Sequence, residues 1–138
     1  MKILVTGDQG YIGSILAPML IKKGYEVVGL DSGYYFDNLL EAYDDQYLKI
    51  NKDLRDVSIE DLFGVDGIIH LAGLSNDPLG EFSPTLTKNI NHLGTVRLAK
   101  LAQKAGVNRF VYASSQSMYG VSDISKELDE DDSQKNPV

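Results

Sequence analysis

The feature that most constrains the fold is a set of three glycines at the first junction between a strand-like and a helix-like segment. Gly7, Gly10 and Gly13 stand three residues apart, between the apolar run KILVT at 2–6 and a helical pattern from about Tyr11 to Lys23. In a strand–turn–helix unit, Gly7 permits the tight turn, Gly10 lets the backbone approach a pyrophosphate, and Gly13 lets the helix pack closely on the sheet. The spacing predicts a dinucleotide site, although glycines alone also fit an ordinary turn.

Two neighbouring features strengthen the dinucleotide prediction. The free N–H groups near Tyr11 and Ile12 lie at the positive end of the predicted helix, where phosphates bind. Asp31 ends the second strand-like run, 18 residues beyond Gly13, and an acid at about this distance accepts hydrogen bonds from a ribose diol. A P-loop is excluded because no Gly-Lys-Ser/Thr follows the glycines.

The same aspartate bears on the choice of cofactor. Asp31 would repel the 2′-phosphate of NADP, and residues 32–48 contain no Lys or Arg that could compensate. The sequence therefore favours NAD over NADP.

Strand-like runs alternate with helical patterns along the rest of the chain. This alternation predicts a Rossmann-type, doubly wound parallel sheet with helices on both faces, truncated after the fifth strand. We expect residues 1–122 to form the dinucleotide-binding domain and 123–138 to be an acidic loop leading to a missing catalytic helix and substrate domain. Further strands are predicted at 26–31, 46–51, 65–73 and 109–114, and helices at 58–63 and 83–105, the last with Ser83 as capping hydroxyl and Pro84 at the first position.

Composition excludes several classes of function. The net charge of −7 argues against nucleic acid or an anionic membrane as the main partner. No apolar run approaches the roughly 20 residues of a transmembrane helix, and MKILVTG becomes polar too early for a secretory signal, so we expect a cytoplasmic protein. The chain has no cysteine and two histidines, so neither disulfides nor a histidine-rich metal site is expected.

Five motifs in the same order resemble one family. They are TGDQGYIG, KDLRD at 52–56, HLAGLS at 70–75, NHLGT at 91–95 and YASSQSMYG at 112–120. With them the whole chain resembles the extended short-chain dehydrogenase/reductases, in the NAD-dependent nucleotide-sugar epimerase/dehydratase group. The resemblance implies an NAD-dependent isomerase or oxidoreductase acting on a nucleotide-sugar.

The resemblance also implies roles for particular residues. Ser115, four residues before Tyr119, would be the catalytic hydroxyl. Asn91 would hold the active-site structure together. The cofactor-binding positions implied by the motifs are Asp53 at the adenine amino group, Leu54 beside it, and Leu71, Ala72 and Gly73 on the nicotinamide side.

Each of these residues also has a simpler interpretation. Asp53 could be a capping or turn acid, Asn91 an ordinary polar helix residue, and Ser115 a turn hydroxyl at a strand end. His70 is interpreted as a strand-end histidine without chemistry.

The sequence departs from the family pattern in two places. Gln116 and Ser117 stand where sugar 4,6-dehydratases carry an acidic pair, which disfavours dehydration and leaves epimerisation or carbonyl reduction. The family's catalytic Tyr-x-x-x-Lys does not follow Ser115, since Tyr119 is followed four residues later by Asp123. We therefore expect the N-terminal part, or a truncated product, of a longer enzyme that is inactive alone.

Two hypotheses of different class remain open. In the first, the full-length parent is an NAD-dependent enzyme that oxidises or reduces a carbon of a nucleotide-sugar. In the second, the chain is a non-catalytic NAD-binding sensor or regulatory module, because one fold serves many functions. In either case, loss of later strands would expose apolar surface, so self-association or a homodimer is expected.

Overall fold

The computed structural model describes residues 1–36, 47–75, 77–120 and 127–134. In this part of the chain, five parallel strands form one sheet in the order β3-β2-β1-β4-β5. The order reverses between β1 and β4, and ligands of such sheets bind beyond the carboxyl ends of the strands at this switch point. The predicted Rossmann-type sheet is confirmed. Its strands are β1 (Lys2–Thr6), β2 (Glu26–Asp31), β3 (Leu48–Asn51), β4 (Gly67–His70) and β5 (Arg109–Tyr112).

Helical segments connect the strands. The α-helices are α1 (Gly13–Lys22), α2 (Asp77–Phe82), α3 (Pro84–Thr87) and α4 (Thr95–Lys104), and a π-helical segment, Lys88–Gly94, joins α3 to α4. Short 3-10 turns occupy Leu54–Asp56, Glu60–Leu62, Gln116–Tyr119 and Glu130–Gln134.

The predicted strand at 65–73 is longer than the one observed. β4 ends at His70 because its partner strand β1 ends there: Thr6 opposite His70 is the last pair of the ladder. The segment 71–73 therefore leaves the sheet and borders the region beyond the strand ends. β5 ends at Tyr112, opposite His70, rather than at the predicted residue 114. β3 begins at Leu48, where its pairing with β2 begins, and the predicted start at residue 46 lies outside the described residues.

The structure corrects the helix predictions at four points. The helix predicted at 83–105 changes its hydrogen-bonding pattern at the π-helical segment, and Pro84 begins it as predicted, but the Ser83 side chain makes no capping hydrogen bond. The segment predicted as a helix at 58–63 is only a 3-10 turn, and α2 was not predicted. In the predicted acidic tail, the turn Glu130–Gln134 lies next to the turn Gln116–Tyr119, whereas the expected boundary at 122/123 falls outside the described residues.

The sheet buries apolar side chains on both faces. Alternate residues of β1 point to opposite sides: Leu4 belongs to one cluster, and Ile3 and Val5 belong to the other. The first cluster packs against α4 and the segments after β3, and the second packs against α1 through Ala17 and Leu20. Burial on both faces explains why the strands read as continuous apolar runs. No helix within the described ranges is long and apolar enough to cross a bilayer.

Candidate functional site

A cavity opens beyond the carboxyl ends of β1, β2 and β4, at the switch point of the sheet. Its walls come from the glycine turn, the ends of β2 and β3, and the segment after β4. The lining residues are Gly7, Gly10, Leu30, Asp31, Ser32, Tyr34, Tyr35, Lys52, Asp53, Leu54, Leu71, Ala72, Gly73, Leu74 and Ile90.

Most of the residues predicted to bind a cofactor meet in this cavity. Gly7, Gly10, Asp31, Asp53, Leu54, Leu71, Ala72 and Gly73 line it. The remaining predicted residues, Tyr11, Ile12, Gly13, Asn91 and Ser115, lie outside its lining. Lys52 and Ile90 also line the cavity, although the sequence analysis assigned neither of them to a site.

Gly7 has a backbone conformation that only glycine adopts readily. Its φ is +74°, its N–H donates to the carbonyl of Leu30 at 2.8 Å, and its own carbonyl accepts from the N–H of Gly10 at 3.0 Å. A Cβ at Gly7 would lie 2.8 Å from the backbone nitrogen of Ala72. The turn therefore needs glycine both for its φ and for the close passage of the segment after β4.

Gly13 brings α1 against the turn. A Cβ at this position would lie 2.1 Å from the carbonyl oxygen of Gly7, which is far inside van der Waals contact. The first helical hydrogen bonds are donated by Ser14 and Ile15 to the carbonyls of Gly10 and Ile12. The backbone N–H groups ahead of Ser14 thus lie at the open, positive end of the helix, as predicted for a phosphate site.

Asp31 links the end of β2 to the glycine turn. One carboxylate oxygen accepts from the N–H of Gly33 at 2.8 Å, and the other accepts from the N–H of Gln9 at 3.2 Å. A carboxylate has about four acceptor positions, so capacity remains for two hydroxyl donors.

Asp53 caps the 3-10 turn Leu54–Asp56, which matches the simpler interpretation of this residue. Its Oδ1 accepts from Arg55 N and Nε, both at 2.9 Å, and its Oδ2 accepts from Arg55 Nη2 at 2.7 Å and from the Tyr34 hydroxyl at 3.3 Å. The side-chain hydrogen bond from Arg55 is the main cause that lowers the pKa of Asp53 to about 2. Asp53 also lines the cavity, so a structural role and a binding role coincide here.

Two cations near the cavity, Lys52 and Arg55, lie just beyond the stretch 32–48, which contains no Lys or Arg. Lys52 Nζ contacts both carboxylate oxygens of Asp61, at 2.7 and 2.8 Å, and Arg55 pairs with Asp53. Both cations belong to the motif KDLRD, which follows β3. Because β3 ends beside β2, residue 52 lies next to Asp31, and Lys52 N donates to the carbonyl of Asp31 at 2.9 Å.

Asn91 holds the segment after β4 in place through two hydrogen bonds. Its Nδ2 donates to the carbonyl of Leu74, and its Oδ1 accepts from the N–H of Leu74, both at 2.8 Å. Asn91 lies in the π-helical segment, which departs from regular α-helix at this two-point contact. A Cβ at Gly73 would lie 3.2 Å from Asn91 Oδ1, so a small residue lets the amide approach.

His70 joins three elements in the core below this segment. Its Nδ1 lies 2.6 Å from Thr6 Oγ1, and its Nε2 lies 2.8 Å from Thr95 Oγ1. Thr95 already donates its hydroxyl hydrogen to the carbonyl of Asn91, so Nε2 is the donor and Nδ1 the acceptor of the ring. Burial lowers the pKa of His70 to about 4, which keeps the imidazole neutral at pH 7.

Ser115 lies beyond the end of β5 and is exposed. Its Oγ accepts from the N–H of Ser117 at 3.1 Å and so caps the 3-10 turn Gln116–Tyr119. This geometry is that of a strand-end turn hydroxyl, and Ser115 does not line the cavity. The catalytic role stays a prediction. Within the described ranges, no group of three or more acidic or histidine side chains is placed to hold a metal ion.

Comparison with known proteins shows the family. The model of the NAD dependent epimerase/dehydratase family matches residues 3–138. The chain is 38% identical over 127 residues to UDP-glucose 4-epimerase of Mycolicibacterium smegmatis, a match that covers 87% of the chain and 41% of that protein. It is 31% identical to UDP-glucose 4-epimerase of Klebsiella pneumoniae, where the match covers 87% of the chain and 93% of the relative.

A solved structure shows the same fold. UDP-glucose-4-epimerase from Stenotrophomonas maltophila, crystallised with bound NAD and formylated UDP-arabinopyranose, superposes with a TM-score of 0.76 at 28% identity, covering 89% of this chain and 39% of that one. The chain thus spans about two fifths of that structure and of the Mycolicibacterium relative. With a family match from residue 3 to residue 138, the chain belongs to the NAD dependent epimerase/dehydratase family.

Proposed function

We propose that this chain binds NAD in the cavity at the switch point and forms the NAD-binding part of a nucleotide-sugar epimerase. The observation that carries the proposal is the position of Asp31, whose carboxylate is hydrogen-bonded to the glycine turn and retains acceptor capacity at the cavity wall. A ribose diol needs such an acceptor next to a pyrophosphate site.

The shape of the turn fits this cofactor. Positions 7, 10 and 13 are glycines, and a Cβ at Gly7 or Gly13 would collide with neighbouring backbone. In the proposal, the pyrophosphate lies on the N–H groups ahead of Ser14 and the ribose hydroxyls donate to Asp31. Leu71, Ala72 and Gly73 border the nicotinamide, which supplies a hydride acceptor when bound.

The adenine end requires one exchange of partners. From the residues that the structure describes, Asp53 accepts four hydrogen bonds, from Arg55 and Tyr34, and the bond from the Tyr34 hydroxyl is the longest at 3.3 Å. An adenine amino group at Asp53 would therefore replace Tyr34. Leu54 offers an apolar contact beside it.

The proposed substrate is a UDP-sugar. The relatives are named as UDP-glucose 4-epimerases, and the Stenotrophomonas structure holds a UDP-sugar together with NAD. Ser115 would orient the reacting sugar oxygen, and the base that takes its proton would come from another part of the full-length protein, because no Tyr-x-x-x-Lys follows Ser115 here. The alternative of a non-catalytic module is less well supported, since these relatives are enzymes.

We also propose that the protein is cytoplasmic and that it self-associates. Val111 and Tyr112 on the edge strand β5 are 57% and 53% exposed, and an uncovered apolar strand edge favours pairing with a second copy.

Calorimetric titration of the chain with NAD and with NADP tests the cofactor proposal. We expect saturable binding of NAD and clearly weaker binding of NADP. Absence of heat with NAD at millimolar concentration would contradict the proposed function.

A further inference from the structure

The charges around the ribose end of the cavity are not all negative. Among the described residues that line the cavity, the charged ones are Asp31, Asp53 and Lys52. Lys52 follows β3, and its N–H donates to the carbonyl of Asp31, so its backbone lies directly beside the aspartate proposed to bind the ribose. A lysine in this position would ordinarily favour NADP, because basic side chains accommodate the 2′-phosphate.

Asp61 engages that lysine. Lys52 Nζ lies 2.8 Å from Asp61 Oδ1 and 2.7 Å from Oδ2, a two-oxygen contact with a carboxylate that does not itself line the cavity. The Lys52 side chain is 32% exposed to solvent, whereas the Asp61 side chain is 14% exposed. The ammonium is thus directed at Asp61, while the lysine as a whole stays accessible from the cavity.

The carboxylate of Asp61 is itself held in place. Its Oδ2 also accepts from Ser58 N at 2.8 Å and from Ser58 Oγ at 3.1 Å. Burial alone would raise the pKa of Asp61, but the hydrogen bonds from Lys52 and Ser58 lower it. Asp61 is therefore a fixed, charged partner for the ammonium.

We propose that Asp61 is a specificity-determining residue that favours NAD by holding the Lys52 ammonium away from the ribose 2′ position. The inference rests on the proposed NAD site and deepens it. The nearby Arg55 guanidinium is held in the same manner by Asp53, so the carboxylate of Asp31 is left to meet the ribose. NADP then meets repulsion that neither of these two paired cations is free to offset.

The test compares NAD and NADP binding by calorimetry in the unmodified chain and in Asp61→Asn. Asparagine keeps an oxygen for Ser58 but loses the charge that binds Lys52. We expect the ratio of the NADP to the NAD dissociation constant to fall roughly five- to tenfold, because a freed ammonium attracts the 2′-phosphate. Glu26→Gln is the control: it removes one negative charge at the opposite end of β2, where Glu26 pairs with Lys2.

The double variant Lys52→Met/Asp61→Asn assigns the effect to the lysine. We expect it to restore the preference for NAD. An unchanged ratio in Asp61→Asn, equal weakening of both cofactors, or a double variant that keeps the altered ratio would each overturn the inference.

Lys52→Met alone carries the test if Asp61→Asn does not fold, since it leaves the Ser58–Asp61 contacts intact. We expect the preference for NAD to rise by about twofold at most, from the unpaired charge of Asp61. A rise of roughly fivefold or more would mean that Lys52 already attracts the 2′-phosphate in the unmodified chain, and it would overturn the inference. If the unmodified chain does not bind NAD, the proposed function fails, and that result is distinct from NAD binding with unaltered selectivity.

Discussion

The carboxylate of Asp31 accepts a hydrogen bond from the backbone N–H of Gln9 at 3.2 Å, which ties the end of β2 to the glycine turn after β1. The bond places an acceptor for ribose hydroxyls at a fixed distance from the N-terminal end of α1. Two recognition elements that are separate in sequence thus become one surface.

Replacing Asp31 with asparagine should weaken NAD binding and reduce the preference for NAD over NADP. Asparagine can still accept from Gln9, but it loses the charge-assisted bonds to the diol, worth about 1.5–3 kcal/mol, or roughly tenfold or more in affinity. Calorimetry with both cofactors measures the effect. Asp66→Asn is a matched control, because Asp66 accepts from the N–H of Lys2 at the opposite end of the sheet. Unchanged NAD affinity in Asp31→Asn would remove Asp31 from the site.

Gly13→Ala should destabilise the fold as well as the site. The added Cβ would lie 2.1 Å from the carbonyl oxygen of Gly7, so α1 or the turn must move, at a cost of about 1–3 kcal/mol or more. Urea unfolding measures the loss. Gly80→Ala, in α2, is the control, since a Cβ there meets nothing within 4 Å. Equal stability of the two variants would contradict the observed packing of α1 on the turn.

His70 should make stability depend on pH between about 6.5 and 4. Burial lowers its pKa from 6.5 to about 4 in the folded chain, so below pH 6.5 the unfolded chain takes up a proton that the folded chain does not. The free energy of unfolding is therefore unaffected by this group above pH 6.5. It falls as the pH decreases below 6.5, by up to about 3 kcal/mol near pH 4.

Urea unfolding at pH 7.5, 6.0 and 5.0 measures this slope. His70→Gln should lower stability at pH 7.5 but flatten the slope, whereas His92→Gln, at an exposed position, should leave it intact. Asp53 does not interfere, because its pKa of about 2 confines its own effect to pH values below about 4. An unaltered slope in His70→Gln would assign the pH dependence to other groups.

Ser115→Ala should reduce turnover of the proposed UDP-sugar by the full-length protein and leave NAD affinity nearly unchanged. Ser115 lies outside the cavity lining, so cofactor contacts are preserved, while a lost hydrogen bond to the charged reacting oxygen costs about 1.5–3 kcal/mol, or roughly ten- to a hundredfold in rate. Steady-state kinetics together with NAD titration separate the two effects. Ser117→Ala is the control, because it keeps the N–H that Ser115 accepts from. Wild-type turnover in Ser115→Ala would leave Ser115 as a turn-capping hydroxyl.

The chain should self-associate at high concentration through the edge of β5. Val111→Lys places a charge on this exposed strand and should shift the gel-filtration profile toward monomer, because charged residues oppose edge-to-edge pairing. Met19→Lys, which adds the same charge on the exposed face of α1, should leave the profile as it is. A concentration-independent monomer for the unmodified chain would contradict the proposal.

The sequence by itself determined the features that depend on neighbouring residues. Strand runs, the glycine turn at Gly7 and the acid at the end of β2 follow from local conformational preference and from spacing along the chain. The parallel direction of the strands follows from the alternation of strands and helices, because right-handed crossover connections join parallel strands.

The tertiary structure decided the contacts between residues far apart in sequence. No local pattern names Leu74 as the hydrogen-bond partner of Asn91, or Asp61 as the partner of Lys52. Nor does one indicate that His70 hydrogen-bonds to both Thr6 and Thr95. The Asn91 contact accompanies a π-helical segment where helical periodicity predicts a regular helix, and Ser83 does not cap although its residue type favours capping. Local propensities amount to about 1 kcal/mol per residue, whereas buried hydrogen bonds and close packing are set only when distant segments meet, and these interactions override the local preference.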